Sequence, residues 1–203
     1  MVLTALVLAG CGQGADVPAP VATAGPAPDV AALGDSITEG TAVSPSERFD
    51  AFAAQRTGLR FRNCGIFGQR TDEIAERLDA CAAGAKTLIV QGGINDIVQG
   101  RAVEDAAEDL RTMVQRGKAA GMKVLLVDVL PWNNGYPGAA EPIRALNVLI
   151  GEIGEQEDVP VLPFFDTLED PGMPDLMKPE WTIDGDHPSA EGHRRLAALI
   201  DLG

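Results

Sequence analysis

Four short segments carry residue types that can do chemistry together. Ser36 sits in Gly34-Asp35-Ser36-Ile37-Thr38, directly after the apolar run Val30 to Leu33. A serine hydroxyl is a weak nucleophile unless a neighbouring base takes its proton. The chain has two histidines, His187 and His193. His187 lies in Asp184-Gly185-Asp186-His187-Pro188, where Asp184, three residues earlier in a glycine-containing turn, can accept from one ring nitrogen and orient the other. Asp186 is a rival carboxylate, but an adjacent side chain usually points away. Asn95, in Gly92-Gly93-Ile94-Asn95-Asp96, offers a neutral amide donor suited to an oxyanion. Gly68, in Gly65-Ile66-Phe67-Gly68, can bring a bare backbone N–H close to a reacting atom. Taken singly, each segment has a plainer reading as a turn or a helix cap. Asp35 and Asp96 are expected to hydrogen-bond loop backbone and hold Ser36 and Asn95 in place. His193, one turn into the last helix, is expected to be partly exposed or packed, and uninvolved.

The elements that must position these groups alternate strand and helix. Strands are expected at Val30 to Leu33, Leu59 to Asn63, Thr87 to Val90, Val124 to Leu130 and Pro160 to Phe165. Helices are expected from Thr71, which caps one with Ile74, Leu78, Cys81 and Ala82 on a single face, over Val103 to Ala120, over Pro142 to Glu155, and from a Ser189 cap through Ile200. The pattern implies a three-layer αβα domain, flavodoxin-like, on a mainly parallel five-stranded sheet. In such folds ligand groups gather outside the carboxyl ends of the strands. The GDS, Gly65–Gly68 and GGIND segments all follow expected strands, as does Pro131-Trp132-Asn133-Asn134-Gly135-Tyr136.

The order Ser, Gly, Asn, Asp-x-x-His over residues 30–200 resembles the SGNH/GDSL hydrolase family. The matching blocks are Gly34-Asp35-Ser36, Gly68, Asn95 and Asp184-x-x-His187; Ile37 stands where the family's name motif has Leu. The resemblance implies a serine esterase without cofactor or metal. Ser36 would be the nucleophile, His187 the base and Asp184 its orienting acid. The Ser36 N–H, the Gly68 N–H and the Asn95 side chain would form the oxyanion hole. No Gly-x-Ser-x-Gly elbow is present, which disfavours the α/β-hydrolase fold proper.

Composition narrows the partners. The chain has 203 residues and a formal charge of −14. Asp16 is the single charged residue before Asp29, so nearly all of that charge falls on the domain. An acidic domain is a poor nucleic-acid binder and favours neutral over anionic substrates. Residues 1–10 read as a signal peptide whose end, Leu8-Ala9-Gly10-Cys11, resembles a bacterial lipobox. Residues 11–28, rich in Pro, Ala and Gly, read as a tether, and 29–203 as the hydrolase domain. The expected location is the cell envelope or outside, with membrane contact only through a lipid on Cys11. Such a compartment favours a Cys64–Cys81 disulfide. Against it, Cys81 is expected about 15 Å down the following helix, beyond bridging range, and two buried thiols are expected instead. Trp132, Tyr136 and Trp181 fall in loops near the expected site, with Trp132 the candidate substrate contact. Short-acyl or aryl esters, carbohydrate esters among them, are the first expectation. A thioesterase or lysophospholipase comes second, with Met173, Leu176 and Met177 available to line an acyl surface. An acyltransferase or a tethered binding module without turnover are the other readings.

Overall fold

The computed structural model describes residues 26–202; the signal-peptide and lipobox readings, and the tether up to residue 25, lie outside them. Pro28, the last residue assigned to the tether, is already buried.

The described residues begin with β1 (Val30–Gly34), α1 (Ser36–Glu39), α2 (Phe49–Thr57) and β2 (Phe61–Gly65). Next come α3 (Thr71–Glu76), α4 (Leu78–Ala82), β3 (Thr87–Val90), α5 (Ile94–Val98), α6 (Val103–Ala119) and β4 (Lys123–Val127). After α7 (Ala140–Glu157) and β5 (Val161–Leu162) follow α8 (Phe164–Leu168), the short hairpin β6 (Glu169–Asp170) and β7 (Met173–Met177), and α9 (Ala190–Ala198). The main sheet has the order β2-β1-β3-β4-β5, and every pairing in it is parallel. It is the expected three-layer α/β fold.

Both sheet faces are covered, which is why the inner strands read as unbroken apolar runs. Successive side chains point to opposite faces. Ala31, Leu33, Leu88, Val90, Val124 and Leu126 therefore pack with α3, α4, α6 and α7. Val30, Ala32, Ile89, Leu125 and Val127 pack with α2, α8 and α9.

Several boundaries differ from expectation, each for a local reason. β4 stops at Val127, because β5 is only two residues long and offers no further partner. Beyond it the backbone N–H and carbonyl of Val129 bond to the side-chain amide of Asn147 instead. β5 ends at Leu162, because Pro163 has no N–H to give, and Phe164 begins a helix. Thr71 is the first residue of α3 rather than its cap; its hydroxyl bonds to Asp96 and Asp109. The segments α1, α2, α5, α8 and the hairpin were not expected.

The expectation of two free thiols is overturned: Cys64 and Cys81 form a disulfide, with Cα atoms 6.0 Å apart. The helix is not one straight rod. It breaks at Arg77, and the guanidinium of Arg77 donates to the carbonyls of Cys64 and Gly34 at the carboxyl edge of the sheet. Cys81, one turn later, therefore returns beside β2. A bridge closing a loop of this size stabilises by about 3 kcal/mol. Reduction is expected to lower the unfolding free energy by about that much, with a mass gain of two hydrogens. Urea unfolding curves that coincide with and without reductant would refute it.

Candidate active site

Ser36 opens α1 at the end of β1 and is 5% exposed. Asp35 caps that helix: its Oδ1 accepts the Ile37 N–H at 2.9 Å. Its own N–H and the Thr38 hydroxyl both donate to Oε1 of buried Gln91. Gly34 is required by space, since a Cβ there would lie 2.3 Å from Thr38 Oγ1 and 2.4 Å from Gln91 Oε1. Burial pushes the Asp35 carboxyl up to about 6, against the bonds from Ile37 and Gln91.

His187 reaches this serine from the loop before α9. Its Nε2 lies 3.1 Å from Ser36 Oγ, and its Nδ1 lies 2.8 Å from Asp184 Oδ2. The other Asp184 oxygen accepts the N–H groups of Asp186 and His187 at 2.9 and 2.8 Å. Burial raises the Asp184 carboxyl, but these bonds outweigh it and hold the group below its ordinary value. A carboxylate at Nδ1 makes Nδ1 the protonated nitrogen and leaves Nε2 free to accept from serine. Asp186 contributes its N–H to Asp184 and does not contact the ring as the rival acid would.

Gly68 and Asn95 line the same cleft as Ser36 and His187, a space of about 330 Å³. Gly68 has φ +77°, a conformation that favours glycine, and its carbonyl accepts from Gln99. The Asn95 amide donates to the Gln69 carbonyl at 3.1 Å and lies 3.5 Å from Asp35 Oδ2. The second contact is too long to be strong. Asp96, fully buried, accepts from Thr71 N–H and hydroxyl and pairs with Arg101 at 2.7 Å, which pins the loop carrying Asn95. Asp35 and Asp96 thus hold backbone, as expected.

Trp132 lines the cleft, but Tyr136 and Trp181 do not. The Trp181 ring lies under Arg195 and Lys178. Met173, Leu176 and Met177 are absent from its lining; Met177 belongs to the core. The apolar wall comes instead from Ile37, Phe67, Ile94 and Val98. Phe67 is 61% exposed and stacks on the His187 ring at 5.9 Å. Sequence reasoning passed over it, although an aromatic beside the glycine loop was a signal. It also passed over Gln91, Gln69 and Arg77, which act through contacts remote in sequence.

His193 is fully buried, the packed one of its two expected placements. Its Nδ1 accepts the Phe49 N–H at 3.3 Å, its ring stacks on Phe49, and its Nε2 has no partner. Burial, with help from the positive charges of Arg48 and His187, pushes it down to about 4. An unfolded histidine titrates near 6.5. Below that pH the unfolded chain binds a proton that the native chain refuses, so this group's contribution falls as pH drops from about 6.5 to about 4. Asp35 and Asp128, raised to about 6 and about 7 by burial, act in the opposite sense over the same range. Comparison with His193→Phe isolates the histidine. The stability difference between the two proteins is expected to change by roughly 2–3 kcal/mol between pH 7 and pH 4.5. Parallel stability–pH curves would rule this out.

Comparisons agree with the geometry. The sequence model of the GDSL-like Lipase/Acylhydrolase family matches residues 32–195. The chain is 31% identical over 173 residues to Esterase TesA of Pseudomonas aeruginosa, covering 81% of each protein. It is 28% identical over 171 residues to Thioesterase 1/protease 1/lysophospholipase L1 of Escherichia coli K12, covering 81% of this chain and 77% of that one. A crystal structure of a GDSL-like lipase from Bacteroides thetaiotaomicron superimposes with a TM-score of 0.72 at 24% identity, covering 84% of both chains.

Proposed function

The chain belongs to the GDSL-like lipase/acylhydrolase family and is an ester hydrolase; from that premise we propose that it works through Ser36, His187 and Asp184 on short-acyl or aryl esters. Ser36 Oγ attacks the ester carbonyl as its proton passes to His187 Nε2. Asp184 holds the ring tautomer and supports the imidazolium. The Ser36 and Gly68 N–H groups and the Asn95 amide receive the oxyanion. His187 then protonates the departing alcohol, and water repeats the sequence on the acyl-serine. The observation that carries this reading is the unbroken relay from Asp184 through His187 to Ser36, with separations of 2.8 and 3.1 Å.

The cleft volume of about 330 Å³ sits at the low end of small-molecule sites, which run from roughly 300 to 1,000 Å³. That supports a small acyl or aryl group. Polar groups for a sugar are few: besides Ser36, Asn95 and His187, the wall offers Gln99 and Asp186. A second reading, thioester or lysophospholipid hydrolysis, is favoured by the exposed apolar rim of Phe67 and Val98 and by the name of the Escherichia coli relative. A series of p-nitrophenyl esters from acetyl to palmitoyl, with Ser36→Ala as blank, separates the two. We expect kcat/KM to be highest at acetyl to butyryl and Ser36 to be labelled by a fluorophosphonate. A maximum at palmitoyl would replace the first reading by the second. Absence of both turnover and labelling would favour a binding module.

From the N-terminal sequence we propose also that the domain lies outside the cytoplasm, anchored by a lipid on Cys11. The Cys64–Cys81 disulfide supports such a compartment. Metabolic labelling with an alkynyl fatty acid, lost in Cys11→Ala, tests the anchor.

A further inference from the structure

Asp186 lies on the cleft wall beside His187, and the relay does not use its carboxylate. One of its oxygens, Oδ1, is shut off from water and has no hydrogen-bond partner. Its neighbour Asp184 has both oxygens occupied by N–H donors. No Lys or Arg lines the cleft, and no cation pairs with Asp186 among the described residues. A carboxylate without a cation, on a residue of the cleft wall, leaves uncompensated negative charge close to whatever occupies the cleft, in surroundings that screen it less than bulk water. Two aromatic rings, Phe67 and Trp132, line the same space, and aromatic faces attract cations. Phe67 stacks on the His187 ring, so the ring and the carboxylate both flank the histidine.

That placement decides which half of an ester they meet. His187 must deliver a proton to the leaving oxygen, so the alcohol portion lies on the histidine side of Ser36. The acyl carbonyl oxygen points the other way, towards Gly68 and Asn95. Resting on the hydrolase reading above, we propose that Asp186 and Phe67 form a subsite for a positively charged alcohol portion, such as a quaternary-ammonium alcohol. The bias against anionic substrates drawn from net charge is thereby extended to a preference for cationic ones.

The test compares butyrylcholine with 3,3-dimethylbutyl butyrate, its neutral isostere with carbon in place of nitrogen. Both are titrated into Ser36→Ala protein, which binds without turnover. The cationic ester is expected to bind about tenfold more tightly. Adding Asp186→Asn should bring the two affinities within about twofold, and adding Phe67→Leu, at an exposed ring, should shrink the ratio about threefold. Equal affinities in the Ser36→Ala protein, or a ratio that survives Asp186→Asn, would overturn the proposal. Loss of turnover on every ester by the wild-type chain, with the binding ratio intact, would count against the hydrolase reading and not against this subsite.

Discussion

Ser36→Ala is expected to lower kcat for short-chain esters by about 10⁴- to 10⁶-fold with little change in KM, and His187→Ala to do nearly the same. The reason is the single path for the serine proton. Ser36 Oγ has His187 Nε2 at 3.1 Å, and that ring is oriented by Asp184 at 2.8 Å. Removing either partner ends the relay, so the double variant should be no worse than the worse single one. That non-additivity distinguishes a catalytic unit from two independent contacts. Asp184→Asn should also be severe. An amide in place of the carboxylate can present its NH₂ to Nδ1, which favours the tautomer with the proton on Nε2, where it cannot accept from serine. His193→Ala is the control, because His193 is sealed in the core against Phe49 and cannot meet substrate. It should lose stability and keep the native rate at temperatures where it is folded. Steady-state kinetics reads all five variants, with fluorophosphonate titration of active sites for those that keep Ser36. An inactive, folded His193→Ala alongside an active His187→Ala would sink the assignment.

Legibility in the sequence followed the range of the interaction. β3 was readable to the residue because Thr87 to Val90 are buried on both faces, and burial writes itself as an unbroken apolar run. Ser36, Gly68, Asn95, Asp184 and His187, which the structure gathers at one cleft, could be picked out as candidates because each sits in a short segment of unusual composition beside a strand or helix end. Gln91 was not. It supports Asp35 and Thr38 from more than fifty residues away, and a lone glutamine after a strand has no local signature. Arg77 was invisible for the same reason, and without it the helix geometry outweighed the compartment argument for the disulfide. Only the helix break that Arg77 anchors to the carbonyls of Gly34 and Cys64 brings Cys81 back to the sheet edge. An extrapolated straight helix carries it away. Apolar patterning was also silent on the cleft wall, because Phe67 and Val98 are exposed and belong to no core face.

Asn95→Ala should lower kcat by about 10²- to 10³-fold and leave KM nearly unchanged, the mark of a donor engaged in the transition state more than in the bound ester. Before substrate enters, the Asn95 amide is already aimed. One N–H is held by the Gln69 carbonyl at 3.1 Å, and the other faces Asp35 Oδ2 across 3.5 Å. The first bond fixes the plane of the amide. The second is weak enough to yield to an oxyanion at small cost, so the donor is preorganised without being satisfied. Asn95→Asp keeps the shape and reverses the effect. A carboxylate there would face the Asp35 carboxylate and the developing oxyanion, and would leave Gln69 without its donor. It should be slower than Asn95→Ala and should raise the Asp35 carboxyl beyond its value of about 6. Kinetics with p-nitrophenyl acetate, paired with urea unfolding to correct for any loss of fold, reads both variants. A folded Asn95→Ala protein within about threefold of the native kcat would remove Asn95 from the oxyanion hole. The charge would then rest on the Ser36 and Gly68 N–H groups alone.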